Sequence, residues 1–176
     1  MPTIPIPDKR LKAISDNDFA VLTEIEKELG VSAKLVDGNV ELEGDGGKCW
    51  IAEQVLNAIS LGFDANKAYK LFNDEYFLET IDLDTLFGKN EKLIERYKAR
   101  VIGSEGRAKR VLEDLSEAHL SIWENKIAIL GTFDKLSEAK EAITQLLKGS
   151  THAGVYAYLE KNKREAKRRE ILGKMA

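Results

Sequence analysis

The segment 101–115 has the sequence VIGSEGRAKRVLEDL, in which two glycines stand directly before an apolar pattern of helical spacing. Gly103 and Gly106 can adopt positive φ and carry no side chains, so a sugar-phosphate backbone could approach such a turn closely. The helix that follows presents unsatisfied N–H groups and the positive end of its dipole, which both favour phosphate. Basic side chains in its first turn add positive charge. The segment therefore predicts a phosphate-binding turn.

The chain around this turn contains an internal repeat. When the sequence is aligned with itself at an offset of 87 positions, apolar residues coincide with apolar residues over about 45 positions. At this offset Gly44 coincides with Gly131. In each half a helix leads to a short strand, a turn, an alternating run and a last helix. With an upstream strand and helix, each half has the order β-α-α-β-β-α, which makes a two-layer α+β domain.

In the first half the expected elements are a strand at TIPIP, helices at 9–14 and 19–29, strands at 32–36 and 40–42, and a last helix at 49–59. In the second half they are a strand at FLETIDL, helices at 91–102 and 107–116, strands at 119–123 and 127–130, and a last helix at 136–147. A helix, a G-x-x-G turn and a second helix in this order are typical of a KH domain, which clamps about four nucleotides. We therefore predict α+β architecture with two tandem type I KH domains, at 1–75 and 76–150. A linker helix is expected between the domains within 60–76, and a basic helix at 151–176.

Only the second half has the G-x-x-G turn. The repeat places Asp16-Asn17-Asp18-Phe19 on that turn, so both glycine positions are filled and two carboxylates would repel a phosphate. We expect a degenerate KH domain at 1–75 without ordinary RNA binding. Packing on the second domain, binding of a basic protein partner and a purely structural role all remain open for it.

The expected RNA contacts come from the turn, the start of the next helix, an apolar groove and the basic C-terminal segment. The expected walls of the groove are Ile102, Val111 and Leu120–Ile122. In the turn itself Glu105 is unfavourable, so the affinity of one domain is expected to be modest. A solvated helix with i,i+4 ion pairs is the alternative for the C-terminal segment. The candidate RNA-binding residues are Ile102, Gly103, Ser104, Glu105, Gly106, Arg107, Lys109, Arg110, Val111, Leu120, Ile122, Lys161, Lys163, Arg164, Lys167 and Arg168.

Charge is distributed unevenly along the 176 residues. Residues 1–80 carry 8 Lys/Arg and 15 Asp/Glu, a net charge of −7, whereas residues 151–176 carry 7 and 3, a net charge of +4. An anionic partner would therefore meet the C-terminal half. One cysteine, no signal-peptide pattern and no apolar run of bilayer length predict a cytoplasmic protein without a membrane partner.

No group of residues suggests catalysis or a metal site. The EGDGGK stretch fails the phosphate-loop spacing because Leu42 occupies the first glycine position. His119 and His152 have no Cys or His at ligand spacing, and no nucleophile–base set is evident. We therefore expect a non-enzymatic protein without a cofactor or metal.

The sequence resembles archaeal two-KH-domain small-subunit ribosome-assembly factors, which are related to the eukaryotic partner-of-Nob family. The resemblance covers most of the chain and is strongest over 78–164, including TLFGKNEKLIERYKARVIGSEGRAKRVLEDL. In LLKGSTHAGVYAYLEKNKRE, the family's tail is matched by Gly149, Ser150, His152, Val155 and Tyr156. The resemblance implies binding to small-subunit (pre-)ribosomal RNA near its 3′ end, and contact with the alpha subunit of translation initiation factor two. An adaptor of the translation apparatus, acting through the acidic first domain, is the alternative function.

Overall fold

The structure, a computed structural model, describes residues 1–175, which divide into two compact units between Leu78 and Glu79. The elements of the first unit are β1 (Thr3–Pro5), α1 (Leu11–Leu29), β2 (Ser32–Val36), β3 (Asn39–Glu43), α2 (Gly46–Ser60) and α3 (Ala65–Ala68). The strand β4 (Tyr76–Asp82) leads into the second unit, which contains α4 (Leu83–Phe87), α5 (Glu91–Ile102), α6 (Arg107–Ser116), β5 (His119–Trp123), β6 (Lys126–Thr132), α7 (Phe133–Leu147) and α8 (His152–Met175). None of the helices in residues 1–175 combines the length and apolar character needed to cross a bilayer.

The mixed helix-and-strand architecture is confirmed, with one small antiparallel sheet in each unit. The strand orders are β1-β3-β2 and β4-β6-β5, so the third strand of each unit lies in the middle. In the first sheet Ser32 faces Glu43, and in the second His119 faces Leu130. Because both partners differ by the same 87 positions, the two sheets share one register.

A side-chain contact near the C-terminal ends of α1 and α6 is also repeated. The Oε1 atom of Glu26 accepts a hydrogen bond from the backbone N–H of Ala33 at 2.9 Å. At the repeat-equivalent position Glu113 Oε1 accepts from the N–H of Leu120, also at 2.9 Å. Each glutamate thus fixes the first part of a strand to the helix before it. The internal repeat is therefore present in tertiary contacts as well as in apolar spacing.

Two repeat-equivalent glycines at the ends of the central strands have equivalent close neighbours. A Cβ added at Gly44 would lie 3.1 Å from Val31 Cγ1, and one at Gly131 would lie 3.3 Å from Ala118 Cβ. The chain thus passes close to the helix–strand connection in both units, which explains why glycine recurs at this position.

Some boundaries differ from those expected. α2 begins at Gly46 because the side chain of Asp45 accepts from the N–H of Lys48 and caps the helix. α4 was not expected; it forms because the Asp82 side chain accepts from the N–H groups of Asp84 and Thr85. The expected linker helix is instead α3 followed by a 3₁₀ turn, Tyr69–Phe72, which packs on α2 in the first unit.

The core of the second unit includes the beginning of α8. Val155 and Leu159 are fully buried in the same cluster as Leu112, Ile129 and Ile143. The first two turns of α8 therefore stabilise the second unit directly, whereas residues 163–175 are exposed.

Candidate nucleic-acid interface

The turn between α5 and α6 depends on Gly103 for two independent reasons. Its φ of +73° and ψ of 173° lie in a region that is essentially open only to glycine. A Cβ at this position would lie 2.7 Å from both the backbone N and the Cβ of Ala108. The start of α6 thus approaches the turn more closely than any side chain would allow.

Gly106 contributes to the turn in a different way. It caps the N-terminus of α6 in the left-handed conformation, with φ of 73° and ψ of 14°. A Cβ there would have no neighbour within 4 Å, so the space beside it is open. The N–H of Arg107 donates to the carbonyl oxygen of Ser104. No side chain caps α6, so the other N–H groups of its first turn are available to an anionic ligand.

The basic residues of α6 have unequal surroundings. Arg107 and Arg110 are exposed beside the turn, whereas Lys109 is half-buried. The Lys109 ammonium lies 3.1 Å from the carboxylate of Glu113, which also accepts from the N–H of Leu120. Much of the Lys109 charge is therefore neutralised by a structural carboxylate. The exposed positive charge at this turn comes from the two arginines, and Ser104 and the acidic Glu105 are exposed between the glycines.

The structure changes one expected wall of the apolar groove. Ile102, Val111 and Ile122 are half-buried and keep some accessible surface. Leu120 is only 2% exposed and belongs to the hydrophobic core, where it faces Ile129 across the sheet. Burial leaves almost none of its surface for a ligand, so Leu120 acts as a core residue here.

Arg100, which the sequence did not indicate, fixes the end of α5 just before the turn. Its guanidinium donates hydrogen bonds to the carbonyl oxygens of Leu146 and Ser150. The backbone oxygen of Arg100 lies 2.8 Å from His152 Nε2, which donates to it in the Nε2–H tautomer. These contacts give a structural reason for the segment Gly149-Ser150-x-His152, because this segment holds the last turn of α5. No sequence signal identifies Arg100, because all its partners are remote in sequence and most are backbone atoms.

The basic residues of α8 lie on two faces. Lys161, Arg164 and Arg168 share one face at spacings of three and four residues. Lys163 and Lys167 instead line a cleft of about 810 Å³. The Lys163 ammonium donates to the carbonyl oxygen of Asp114 at 3.1 Å, so this residue anchors α8 to the end of α6.

The cleft beside α8 has mixed charge. Its lining comprises Leu115, Ser116, Glu117, Thr132, Asp134, Lys135, Ser137, Glu138, Lys163, Ala166, Lys167, Arg169 and Glu170. Burial raises the pKa of the Glu138 carboxyl above its usual value, and the negative charge of Asp134 raises it further. With equal numbers of acidic and basic side chains, the cleft has no general preference for a polyanion.

The equivalent turn in the first unit interrupts α1 at Asp16–Phe19 and has a different backbone. Asp16 has φ of −61° and ψ of 153°, so it does not reproduce the conformation of Gly103. Asn17, Asp18 and Phe19 follow with φ of 53°, 56° and 57°. All four are exposed, and two are carboxylates. This turn therefore presents acidic side chains where the second unit presents bare backbone. Within residues 1–175 no group of three or more His, Cys, Asp or Glu side chains is placed to hold a metal ion.

Comparison with known proteins gives a consistent result. Residues 77–164 match the model for the second KH domain of PNO1, a eukaryotic type KH-domain (KH-domain type I). A KH domain-containing protein of Methanocaldococcus jannaschii is 37% identical over 171 residues, which cover 94% of this chain and 75% of that protein. The pre-rRNA-processing protein PNO1 of Coccidioides immitis is 29% identical over 89% of this chain, which spans 64% of that relative's length.

A solved structure resembles the whole chain. The a/eIF2alpha–aDim2p–rRNA complex from Pyrococcus horikoshii contains a chain that aligns with a TM-score of 0.83 and 29% identity. The alignment covers 93% of this chain and 94% of that one. Half of the sequence matches the family model, and an archaeal relative aligns over almost the full chain. The protein therefore belongs to the PNO1-like family of KH-domain proteins.

Proposed function

We propose that this protein binds single-stranded small-subunit (pre-)ribosomal RNA near its 3′ end and acts as a non-enzymatic ribosome-assembly factor in the cytoplasm. The observation that carries the proposal is the Gly103 turn, whose bare backbone leads into the N-terminus of α6, which no side chain caps. One relative is named a pre-rRNA-processing protein, and one structural neighbour is part of an rRNA complex. Both names support ribosomal RNA as the class of RNA that is bound.

In this proposal the phosphates lie against the turn from Gly103 to Gly106. The N–H groups of α6 and the exposed guanidinium groups of Arg107 and Arg110 stabilise their charge. The bases then lie along the apolar groove. Its proposed walls are the half-buried side chains of Ile102, Val111 and Ile122.

We further propose that the chain is a tandem pair of KH domains, at 1–75 and 76–150, with the basic helix at 151–176. The shared sheet register and the repeated glutamate–strand hydrogen bond support a common origin of the two halves. The first domain is degenerate in this proposal, because Asp16 replaces Gly103 and takes an ordinary backbone conformation.

The experiment that tests this function is crosslinking of the intact protein to RNA in cells, followed by sequencing of the bound fragments. Enrichment of fragments from the 3′ end of small-subunit rRNA is the expected result. Enrichment of unrelated messenger RNAs would contradict the ribosomal assignment. A matched culture expressing the Gly103→Ala variant controls for crosslinks that do not depend on the turn.

A protein-binding adaptor is the second candidate function. The first 80 residues carry a net charge of −7, and a structural neighbour is described as a complex containing a/eIF2alpha. In this alternative the acidic first unit contacts the alpha subunit of translation initiation factor two. The crosslinking experiment separates the two functions, since recovery of no RNA would favour the adaptor.

The basic face of α8 predicts a measurable salt effect. If Lys161, Arg164 and Arg168 each contact a phosphate, each contributes about 0.7 to the slope of log K against log salt on single-stranded RNA. The triple substitution to Gln is then expected to flatten the slope by about 2. Base preference should remain unchanged, because phosphate contacts position a protein without specifying sequence. The measurement is a salt titration of binding to one RNA.

The control for this titration is a triple variant with the same change of charge in the first unit, at Lys27, Lys34 and Lys48. That variant should keep the original slope. Equal slopes for all three proteins would show that the basic face of α8 does not contact RNA and would leave it as a solvated helix.

A further inference from the structure

The flank of α6 that faces β5 carries a polar pair that the RNA-binding proposal does not use. Lys109 and Glu113 lie one turn apart, with 30% and 20% of their side chains accessible, and the ammonium lies 3.1 Å from Glu113 Oε1. The same oxygen accepts the hydrogen bond from the N–H of Leu120 in β5. Oε2 takes part in neither contact. The carboxylate is therefore held in place through one oxygen and keeps the other as an acceptor.

This pair lies beside the outer edge of the second sheet. β5 is an outer strand, and the N–H of Leu120 points away from β6 because it bonds to Glu113. Backbone groups alternate in an antiparallel pair, so the N–H and C=O of Ile122 point to the same edge. Lys109 is the third residue of α6, directly after the glycine turn, and Glu113 lies about 6 Å further along the helix axis. The pair thus extends from the proposed phosphate site along the edge of the sheet.

The internal repeat separates the structural role of the glutamate from the role of the lysine. Glu26 fixes β2 as Glu113 fixes β5, with a hydrogen bond of 2.9 Å in each unit. The residue equivalent to Lys109 is Leu22, which is only 5% exposed and belongs to the core. A buried leucine at this position is therefore sufficient for the helix–strand contact. Lysine takes its place in the unit that has the glycine turn, so its ammonium is not needed for the fold.

We propose that Glu113 and Lys109 read the Watson–Crick edge of one base and select adenine or cytosine over guanine or uracil. This inference rests on the proposed binding of RNA at the glycine turn. The C4 substituent of a pyrimidine and the C6 substituent of a purine lie at the end of the base remote from the sugar. This substituent therefore reaches Glu113, the member of the pair that lies further from the turn.

The chemistry of the pair determines which base is accepted. An exocyclic amino group donates a hydrogen bond to Oε2 of Glu113, and the Lys109 ammonium donates to the neighbouring ring nitrogen of adenine or cytosine. Guanine and uracil have a carbonyl oxygen in place of the amino group. That oxygen would lie against the carboxylate, and the repulsion between them disfavours both bases.

The test is a selection of RNAs from a random-sequence pool by the full-length protein, followed by sequencing of the bound fraction. The selected RNAs should share a position that is occupied by adenine or cytosine. Two labelled RNAs that differ only there, with cytosine or uracil, should differ about tenfold in affinity by fluorescence anisotropy. Glu113→Gln keeps an oxygen for the N–H of Leu120 but turns an amide donor toward the base. At this position the variant should select guanine or uracil instead.

Glu26→Gln is the matched control, since it makes the same change in the equivalent helix–strand contact of the first unit. It should leave the selected sequences unchanged. Urea denaturation should show similar losses of stability for the two Gln variants, so base preference is the property that a purely structural glutamate would not alter. Lys109→Leu introduces the residue of the first unit, and it should remain folded while the preference for cytosine over uracil decreases.

The outcomes separate this inference from the proposed function. Selection of the same sequences by Glu113→Gln and the unmodified protein would overturn the inference and leave RNA binding intact. Selected RNAs without a position that prefers adenine or cytosine would overturn it as well. Recovery of no RNA by a protein whose circular dichroism shows it folded would contradict RNA binding at the turn, and the inference would fail with it.

Discussion

Gly103→Ala is expected to lower the affinity for single-stranded RNA by about tenfold or more. The added Cβ would lie 2.7 Å from the backbone N of Ala108, and backbone at the start of a helix cannot move away as a flexible side chain can. The conformation at φ +73° and ψ 173° adds a strain of about 1–3 kcal/mol for a residue with a side chain. The turn must therefore change shape, and the phosphate-facing backbone moves with it. Fluorescence anisotropy with a labelled RNA measures the loss.

Gly106→Ala is the matched control for this substitution. The Cβ at Gly106 has no neighbour within 4 Å, and its left-handed conformation costs alanine only about 1–2 kcal/mol. Its effect on RNA affinity should be clearly smaller, although both variants remove one glycine from the same turn. Equal losses for the two variants would show that the close approach to Ala108 is unimportant for binding. Circular dichroism melting of both proteins separates a local change of the turn from unfolding.

Arg100→Ala is expected to destabilise the second unit by about 3 kcal/mol, because two hydrogen bonds from a charged group are lost. The carbonyl oxygens of Leu146 and Ser150 lose their guanidinium donors. The segment before α8 is then held to α5 by the hydrogen bond between His152 and the backbone oxygen of residue 100. Urea denaturation followed by circular dichroism gives the change in the free energy of unfolding. RNA affinity should fall as well, since the last turn of α5 positions Gly103.

Two further substitutions define the cause of this effect. Arg100→Lys keeps the charge but cannot reach both carbonyl oxygens with one planar group, so it should recover only part of the stability. Arg96→Ala removes an exposed arginine of the same helix, which lies 5.8 Å from the Tyr97 ring centroid, and should cost less than about 1 kcal/mol. A melting curve for Arg100→Ala that coincides with that of Arg96→Ala would refute the proposed tether.

Much of the fold is encoded in local patterns. The strand at Ser32–Val36 and the strand at His119–Trp123 have the bounds that the sequence predicts, because alternation and flanking turn residues act over a few positions. Capping changed other boundaries: Asp45 and Asp82 start α2 and α4 through side-chain hydrogen bonds that apolar spacing does not show. The single expected linker helix is a short helix, α3, which begins at the Asp64 cap and is followed by a 3₁₀ turn.

The sequence by itself determined the repeat, the order of the strands and the position of the G-x-x-G turn, because periodicity and glycine spacing reflect backbone geometry directly. Only the tertiary structure decided what the side chains near that turn do. It placed Leu120 in the core, paired Lys109 with Glu113, and gave Lys163 a structural contact with Asp114. It also showed that Arg100 holds carbonyl groups about 50 residues away in sequence. Backbone carbonyls are present at every residue, so a side chain that binds them leaves no partner pattern in the sequence, and its role becomes visible only when the chain is folded.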